Sequence, residues 1–299
     1  MASSNIAQMA PCGGNEQHGA HESLGLKTFE YTEHKMHDMD SEIDPENNFF
    51  NTINNHCEYY TQEQIKRKDM EGSISIIHFN CRSMKANFSK IKQCLRELGN
   101  TFTAVAISET WLEDGQDTLY NLEGYEIFFN NRTRRKCGGV ALFIDKRYIT
   151  KQVSKMSIVV DNIMESITVE LEIKNSKNAI ISCVYRTPGS CIDTFRDLLM
   201  GMYDKITNKK MLFVCGDTNI DLLSENNTTT EFINSMYSMS LYPTITRPTR
   251  ITTHSTTLID NIFINIIDKK IVSGIIMNDA TDHLPVFVVI KGETRTNKD

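Results

Sequence analysis

The sequence contains no apolar run near the roughly 18 residues that a membrane-crossing helix needs; its longest, such as Val286–Ile290, are strand-sized. Its first residues carry neither a basic stretch nor an apolar one, so no signal peptide is expected. None of the eight cysteines forms a C-x-x-C pair. Without an export signal they are expected to be reduced thiols, and a structural zinc site is not expected. There is no internal repeat. What is present is a globular composition. Over 299 residues, 40% are hydrophobic and 23% charged, which excludes a collagen, a coiled coil or a wholly disordered chain.

The net charge of −6 is unevenly placed. Residues 1–72 hold 13 Asp and Glu against 5 Lys and Arg, and the remainder holds 25 against 27. The acidity belongs to the leader. A near-neutral body can still meet a polyanion through a local basic patch. Residues 1–45 lack apolar periodicity and are expected to be a solvated, disordered tail. His18-x-x-His21 and His34-x-x-His37 fall there with no second ligand pair at a useful spacing. Residues 46–66 carry aromatics and are expected to hold a short docked segment or helix, and residues 292–299 read as a polar tail.

From Ser73 the texture changes. Ile74–Phe79 reads as a buried strand, and Phe88, Ile91, Leu95 and Leu98 follow at helical spacing up to Gly99. Strands are expected at 102–108, 125–129, 139–144, 167–173, 179–185, 211–215, 257–264, 270–277 and 286–290. Helices are expected at 192–206 and 232–239. Short turns join several neighbouring strands, which favours two packed sheets with flanking helices over one parallel sheet.

Polar residues gather at the strand ends, where a rigid scaffold presents reactive groups. They are Asn80, Glu109, Tyr185 with Arg186, Asp217 with Asn219, and Asp282 with His283. Asp260 lies inside the run TLIDNIFI, where a carboxylate is costly unless paired, and His283 is an available partner. Taken singly, Asn80, Asn219 and Asp217 also read as ordinary turn residues. Together they supply hard carboxylates, a base, an imidazole and neutral donors. That is the set needed for metal-assisted hydrolysis of a phosphodiester.

In order, HFNCRS, SETWL, YRTPGS, GDTNID, TTLIDNIF and TDHLPV resemble the endonuclease/exonuclease/phosphatase superfamily. The match is closest to the apurinic-like endonuclease domain of non-LTR (LINE-type) retrotransposons. It covers about residues 73–291, and FFNTINNHCEYYT resembles the segment preceding such nucleases. The resemblance implies an α/β four-layer sandwich and a Mg²⁺-dependent DNA endonuclease, with Mn²⁺ as a substitute, that leaves a 3′-hydroxyl nick. Glu109 would bind the metal, with Asp282 supporting it. Asp217 would deprotonate water, which Asn219 would orient. Asn80 would hold the metal or phosphate environment. Tyr185 and His283, the latter oriented by Asp260, would contact phosphate oxygens.

This sequence departs from the family at three places. Many relatives carry an acid two residues after the first Asn, where Arg82 stands here. Thr218 replaces the usual large apolar residue, which implies looser packing under Asp217. TDH replaces the more usual SDH. Arg132, Arg134, Arg135 and Lys136 in a predicted turn, with Arg186 and Arg250, are expected to contact DNA phosphates. Trp111 is expected to pack beneath the metal loop. No obligate protein partner and no membrane are expected, and a DNA substrate implies the nucleus. The chain ends without an aromatic-Ala-Asp-Asp motif, so it reads as a nuclease module without a reverse transcriptase. The competing expectation is a catalytically weak nucleic-acid-binding relic. A lipid phosphodiesterase is a third reading that the closeness to retroelement motifs disfavours.

Overall fold

The computed structural model describes residues 57–113, 115–132, 137–206 and 210–292. The leader histidine pairs, Arg134, Arg135, Lys136 and residues 293–299 lie outside the described residues. The elements begin with β1 (Glu58–Tyr60), α1 (Gln62–Lys66), β2 (Ser73–Asn80), α2 (Met84–Leu98) and β3 (Ala104–Ser108). Then come β4 (Tyr125–Asn130), β5 (Val140–Asp145), β6 (Ile149–Gln152), β7 (Val159–Val160), β8 (Met164–Glu172) and β9 (Ala179–Arg186). The chain continues through α3 (Ile192–Tyr203), β10 (Met211–Asp217), α4 (Asn227–Ser238), β11 (Tyr242–Pro243), β12 (Arg250–Ile251) and β13 (Thr256–Thr257). It closes with β14 (Asp260–Ile264), β15 (Ile271–Ile276) and β16 (Val286–Lys291).

One sheet runs β1-β15-β16-β2-β3-β5-β4 and the other β11-β14-β10-β9-β8-β6, with β7 beside β8. Both mix parallel and antiparallel pairs. The strand β2 shows why they stack. Its Ile74 and Ile76 join the core shared with the second sheet, while Ile77 and Phe79 lie under α2, so alternate side chains serve opposite faces. Helix α2 buries Met84, Phe88, Ile91, Cys94 and Leu98, spaced for one helical face. Its Ser83 accepts from the Ala86 amide, and the chain leaves through Gly99 at φ 66°. On the second sheet, Phe195 of α3 stacks on Phe232 of α4 at 6.1 Å, and Phe232 meets Phe263 of β14 edge-on. The molecule is thus the four-layer α/β sandwich that the resemblance implied. No helix among the described residues is long and apolar enough to cross a membrane.

Packed structure starts upstream of Ser73. β1 pairs in parallel with β15, Tyr60 meets the Phe287 ring edge-on at 5.4 Å, and Ile65 is buried. The strand expected over 257–264 is divided. Thr256 and Thr257 pair with β12. The Ile259 carbonyl and Leu258 amide bond to the loop after β10, through the Thr218 amide and the Asp221 carboxylate. The ladder of β14 therefore starts only at Asp260.

Candidate active site

Register brings the polar strand ends level. Asp217 on β10 pairs with Tyr185 of β9 on one side and Asp260 of β14 on the other. In the facing sheet Asn80 pairs with Ser108, and Glu109 follows. The glycine before Asp217 is required. Gly216 has φ 152°, and a Cβ there would lie 1.8 Å from the Val184 carbonyl oxygen. Non-glycine residues with positive φ gather around the site: Arg82 at 43°, Ser83 at 109°, Glu109 at 54°, Trp111 at 53° and Asn219 at 48°. Such backbone persists where its surroundings hold it. Here the Ser83 amide donates to the Glu109 carbonyl and the Met84 amide to the Thr110 carbonyl, both at 2.9 Å.

The side chains of the two sheets meet across one amide. Asn80 Nδ2 donates to Glu109 Oε1 and to Asp217 Oδ2, each at 2.8 Å. The Asn219 backbone amide donates to Asp217 Oδ1 at 2.8 Å, and its side-chain amide donates to the Arg186 carbonyl at 2.7 Å. Asp260 Oδ2 accepts from the Thr249 hydroxyl and meets His283 Nδ1, both at 2.9 Å. Asp260 Oδ1 is buried without a hydrogen-bond partner, and His78 Nδ1 lies 3.8 Å from it.

These neighbours set the charges. Burial disfavours the imidazolium of His283, but the Asp260 charge and hydrogen bond, with Asp217 and Asp282, outweigh it and lift the group to about 9. Burial first, then the Asp260 charge, pushes the Asp217 carboxyl up to about 8. Burial also raises the Tyr185 phenol, and the charges of Glu109 and Asp217 add to it, so Tyr185 stays a neutral donor.

Several expected residues stand elsewhere. Asp282 is not with the gathered carboxylates. Arg82 Nη1 holds both its oxygens at 2.8 and 2.9 Å, and Arg250 Nε holds one at 2.9 Å. Arg132 is no surface contact, because its buried guanidinium pairs with Glu165 and donates to the Thr187 hydroxyl. Arg186 is likewise buried and spent on the Thr218, Asn219 and Ser190 carbonyls, so it shapes the loop after Asp217 and has no side to offer DNA. Arg250 does reach the surface beside the site. Thr218 lines a small apolar recess with Phe195 and Phe232, yet its hydroxyl donates to the Ile259 carbonyl, so the turn is pinned. Trp111 is exposed, and its indole N–H reaches Glu109 Oε2 at 3.1 Å.

Sequence reasoning passed over His78 and Thr249. His78 Nε2 lies 3.0 Å from the Ser108 hydroxyl, and burial lowers its imidazole to about 4, so it is neutral. The signal was available. His78 is two residues before Asn80, hence on the same face of β2, inside an otherwise apolar run.

The residues fit a divalent cation. Glu109, Asp217 and His283 each offer a ligand atom, all within 4.8 Å of one another. Two carboxylates converge on one neutral amide, with a third at Asp260 behind. The cluster is short of positive charge, and its carboxylate oxygens suit a hard ion.

Compared with family models and with curated proteins, the sequence matches none. Solved structures do match. An endonuclease/exonuclease/phosphatase family protein from Leptotrichia buccalis is 14% identical with a TM-score of 0.53, over 73% of this chain and 100% of that one. The chain therefore has the endonuclease/exonuclease/phosphatase fold. The endonuclease domain of TRAS1, a telomere-specific non-LTR retrotransposon, is 13% identical with a TM-score of 0.59, over 74% of this chain and 99% of that one. The AP endonuclease LMAP from Leishmania major is 11% identical with a TM-score of 0.58, over 86% of this chain and 97% of that one.

Proposed function

We propose that the protein is a divalent-metal-dependent DNA endonuclease of retrotransposon type, using Mg²⁺ or Mn²⁺ and leaving a 3′-hydroxyl. The observation that carries this reading is the convergence of Glu109, Asp217 and His283, with Asn80 bridging the two carboxylates. Similar folds belonging to a retrotransposon endonuclease and an AP endonuclease support it.

Glu109, with Asp217 beside it, would hold the cation, which when bound stabilises negative charge on phosphate oxygens. Asp217, which a cation beside it would keep ionised, takes a proton from the attacking water, and Asn219 offers its amide oxygen to orient that water. Water oxygen bonds to phosphorus, the bond to the 3′ oxygen breaks, and that oxygen takes a proton from solvent and leaves as a 3′-hydroxyl opposite a 5′-phosphate. His283 has Nδ1 committed to Asp260, so Nε2 is left to donate to a phosphate oxygen. Tyr185 donates a second hydrogen bond there. Both stabilise charge that grows in the transition state. A DNA substrate fits a nuclear location.

The test is nicking of supercoiled plasmid with Mg²⁺ and with EDTA. Asp217→Ala and His283→Ala are each expected to lower the rate by at least about 10²-fold, and a polymerase should extend the nick directly. DNA that is bound but never nicked would establish the relic reading instead.

A further inference from the structure

Two arginines from different parts of the chain meet one carboxylate beside the active site. Arg82 comes from the loop between β2 and α2, Arg250 from β12, and Asp282 directly precedes His283. The backbones of Arg250 and His283 are bridged. The side chains of Arg82 and Arg250 are 45% and 37% exposed, with Asp282 at 29%. This cluster opens to solvent, unlike the buried Arg132 and Arg186.

The bonding leaves capacity. Asp282 takes Nη1 from Arg82 and Nε from Arg250. The remaining guanidinium N–H groups of both arginines make no hydrogen bond among the described residues. The cluster carries a net positive charge, and its two planar forks are fixed by a shared carboxylate. Guanidinium forks match phosphate oxygens. An exposed ion pair adds little stability by itself. Yet Arg82 and Ser83 sit at φ 43° and φ 109°, in a loop that the Ser83 and Met84 amides bond to the Glu109 and Thr110 carbonyls.

We propose that Arg82 and Arg250, oriented by Asp282, form a clamp for a DNA backbone phosphate flanking the scissile bond. Asp282 then positions two arginines and is not a metal ligand. The clamp deepens the nuclease reading and rests on it.

The experiment measures binding of a short DNA duplex to the full chain in EDTA across a salt series, and nicking with Mg²⁺. Arg82→Gln and Arg250→Gln should each lower the slope of log affinity against log salt by about 0.9, and each should weaken binding about tenfold. In nicking, KM should rise while kcat changes little. Arg82→Lys should restore the slope but only part of the affinity, because Lys keeps the charge and loses the fork. Asp282→Asn should leave the Mg²⁺ concentration for half-maximal nicking unchanged. Unaltered slopes in both Gln variants, with lowered thermal midpoints, would overturn the clamp and leave the arginines structural. A tenfold higher Mg²⁺ requirement in Asp282→Asn would also overturn it and return that residue to the metal. Wild-type protein that neither binds nor nicks DNA would overturn the nuclease reading itself, whereas wild type that nicks beside variants with unchanged binding sinks only the clamp.

Discussion

At Asp260 a single buried carboxylate stands between two histidines and makes them different. His283 bonds it directly and is raised to about 9, while His78, fully buried on the far side, is lowered to about 4. For His283 the folded value lies above the ordinary one of about 6.5. Its pair with Asp260 therefore adds stability that is fully present below about pH 6.5 and lost as pH climbs through about 9. Asp217, raised to about 8, runs the same way, because the folded chain keeps a proton that the unfolded chain has released. In EDTA, urea unfolding at about pH 6 and about pH 10 should show a loss of about 3 kcal/mol from His283 alone. His283→Gln should flatten that part of the profile. Wild-type stability that rises across this window contradicts the assignment. Gly216 gives a second prediction at this scale. A methyl group there meets the Val184 carbonyl at a backbone angle only glycine adopts readily. Gly216→Ala should cost about 3 kcal/mol or more and lower the thermal midpoint sharply.

Strands and helices were legible where periodicity was strong. The helical spacing of Phe88, Ile91, Leu95 and Leu98 specified a face, of which α2 buries all but Leu95. By contrast β8, expected half-buried from its alternation, also buries Ser166 and Thr168 on its other face. The catalytic candidates were legible for a related reason, since packing alone gives a strand that is apolar along its length no use for a carboxylate at its end. What stayed hidden depends on pairing between distant residues. Nothing local says that Asp282 will meet Arg82, 200 positions earlier, or that Arg186 will turn inward onto three carbonyls. β1 was hidden because three residues have too little period to read, and its role is set by the β15 edge that it covers. That edge allows a test. A chain beginning at Ser73 loses β1, the Tyr60–Phe287 contact and buried Ile65, and it bares the unpaired edge of β15. It should unfold several degrees lower than the full protein and self-associate. Equal melting of the shortened and full chains would make β1 an ornament of the fold.

At the scale of the molecule, the site is a polar seam at one edge of two sheets that share a large apolar core. Glu109 and Asn80 belong to one sheet, and Asp217, Tyr185 and Asp260 to the other. The bond from Asn80 to Asp217 crosses the seam. Without a cation, two carboxylates meet there across one neutral amide, and burial first, then the Asp260 charge, raises the Asp217 group. On the proposed reading, Glu109 and Asp217 would hold a divalent ion, which would offset their charge. Such an ion would bind only where folding has brought Glu109 and Asp217 together, and would then stabilise the folded state by mass action. At ten times its dissociation constant, Mg²⁺ should add about 1.4 kcal/mol, seen as a rise in thermal midpoint that saturates with concentration and that EDTA reverses. Glu109→Gln should abolish that rise. If Mg²⁺ leaves the wild-type midpoint unmoved at concentrations that support nicking, the ion is held by the DNA phosphate and does not tie the two sheets together.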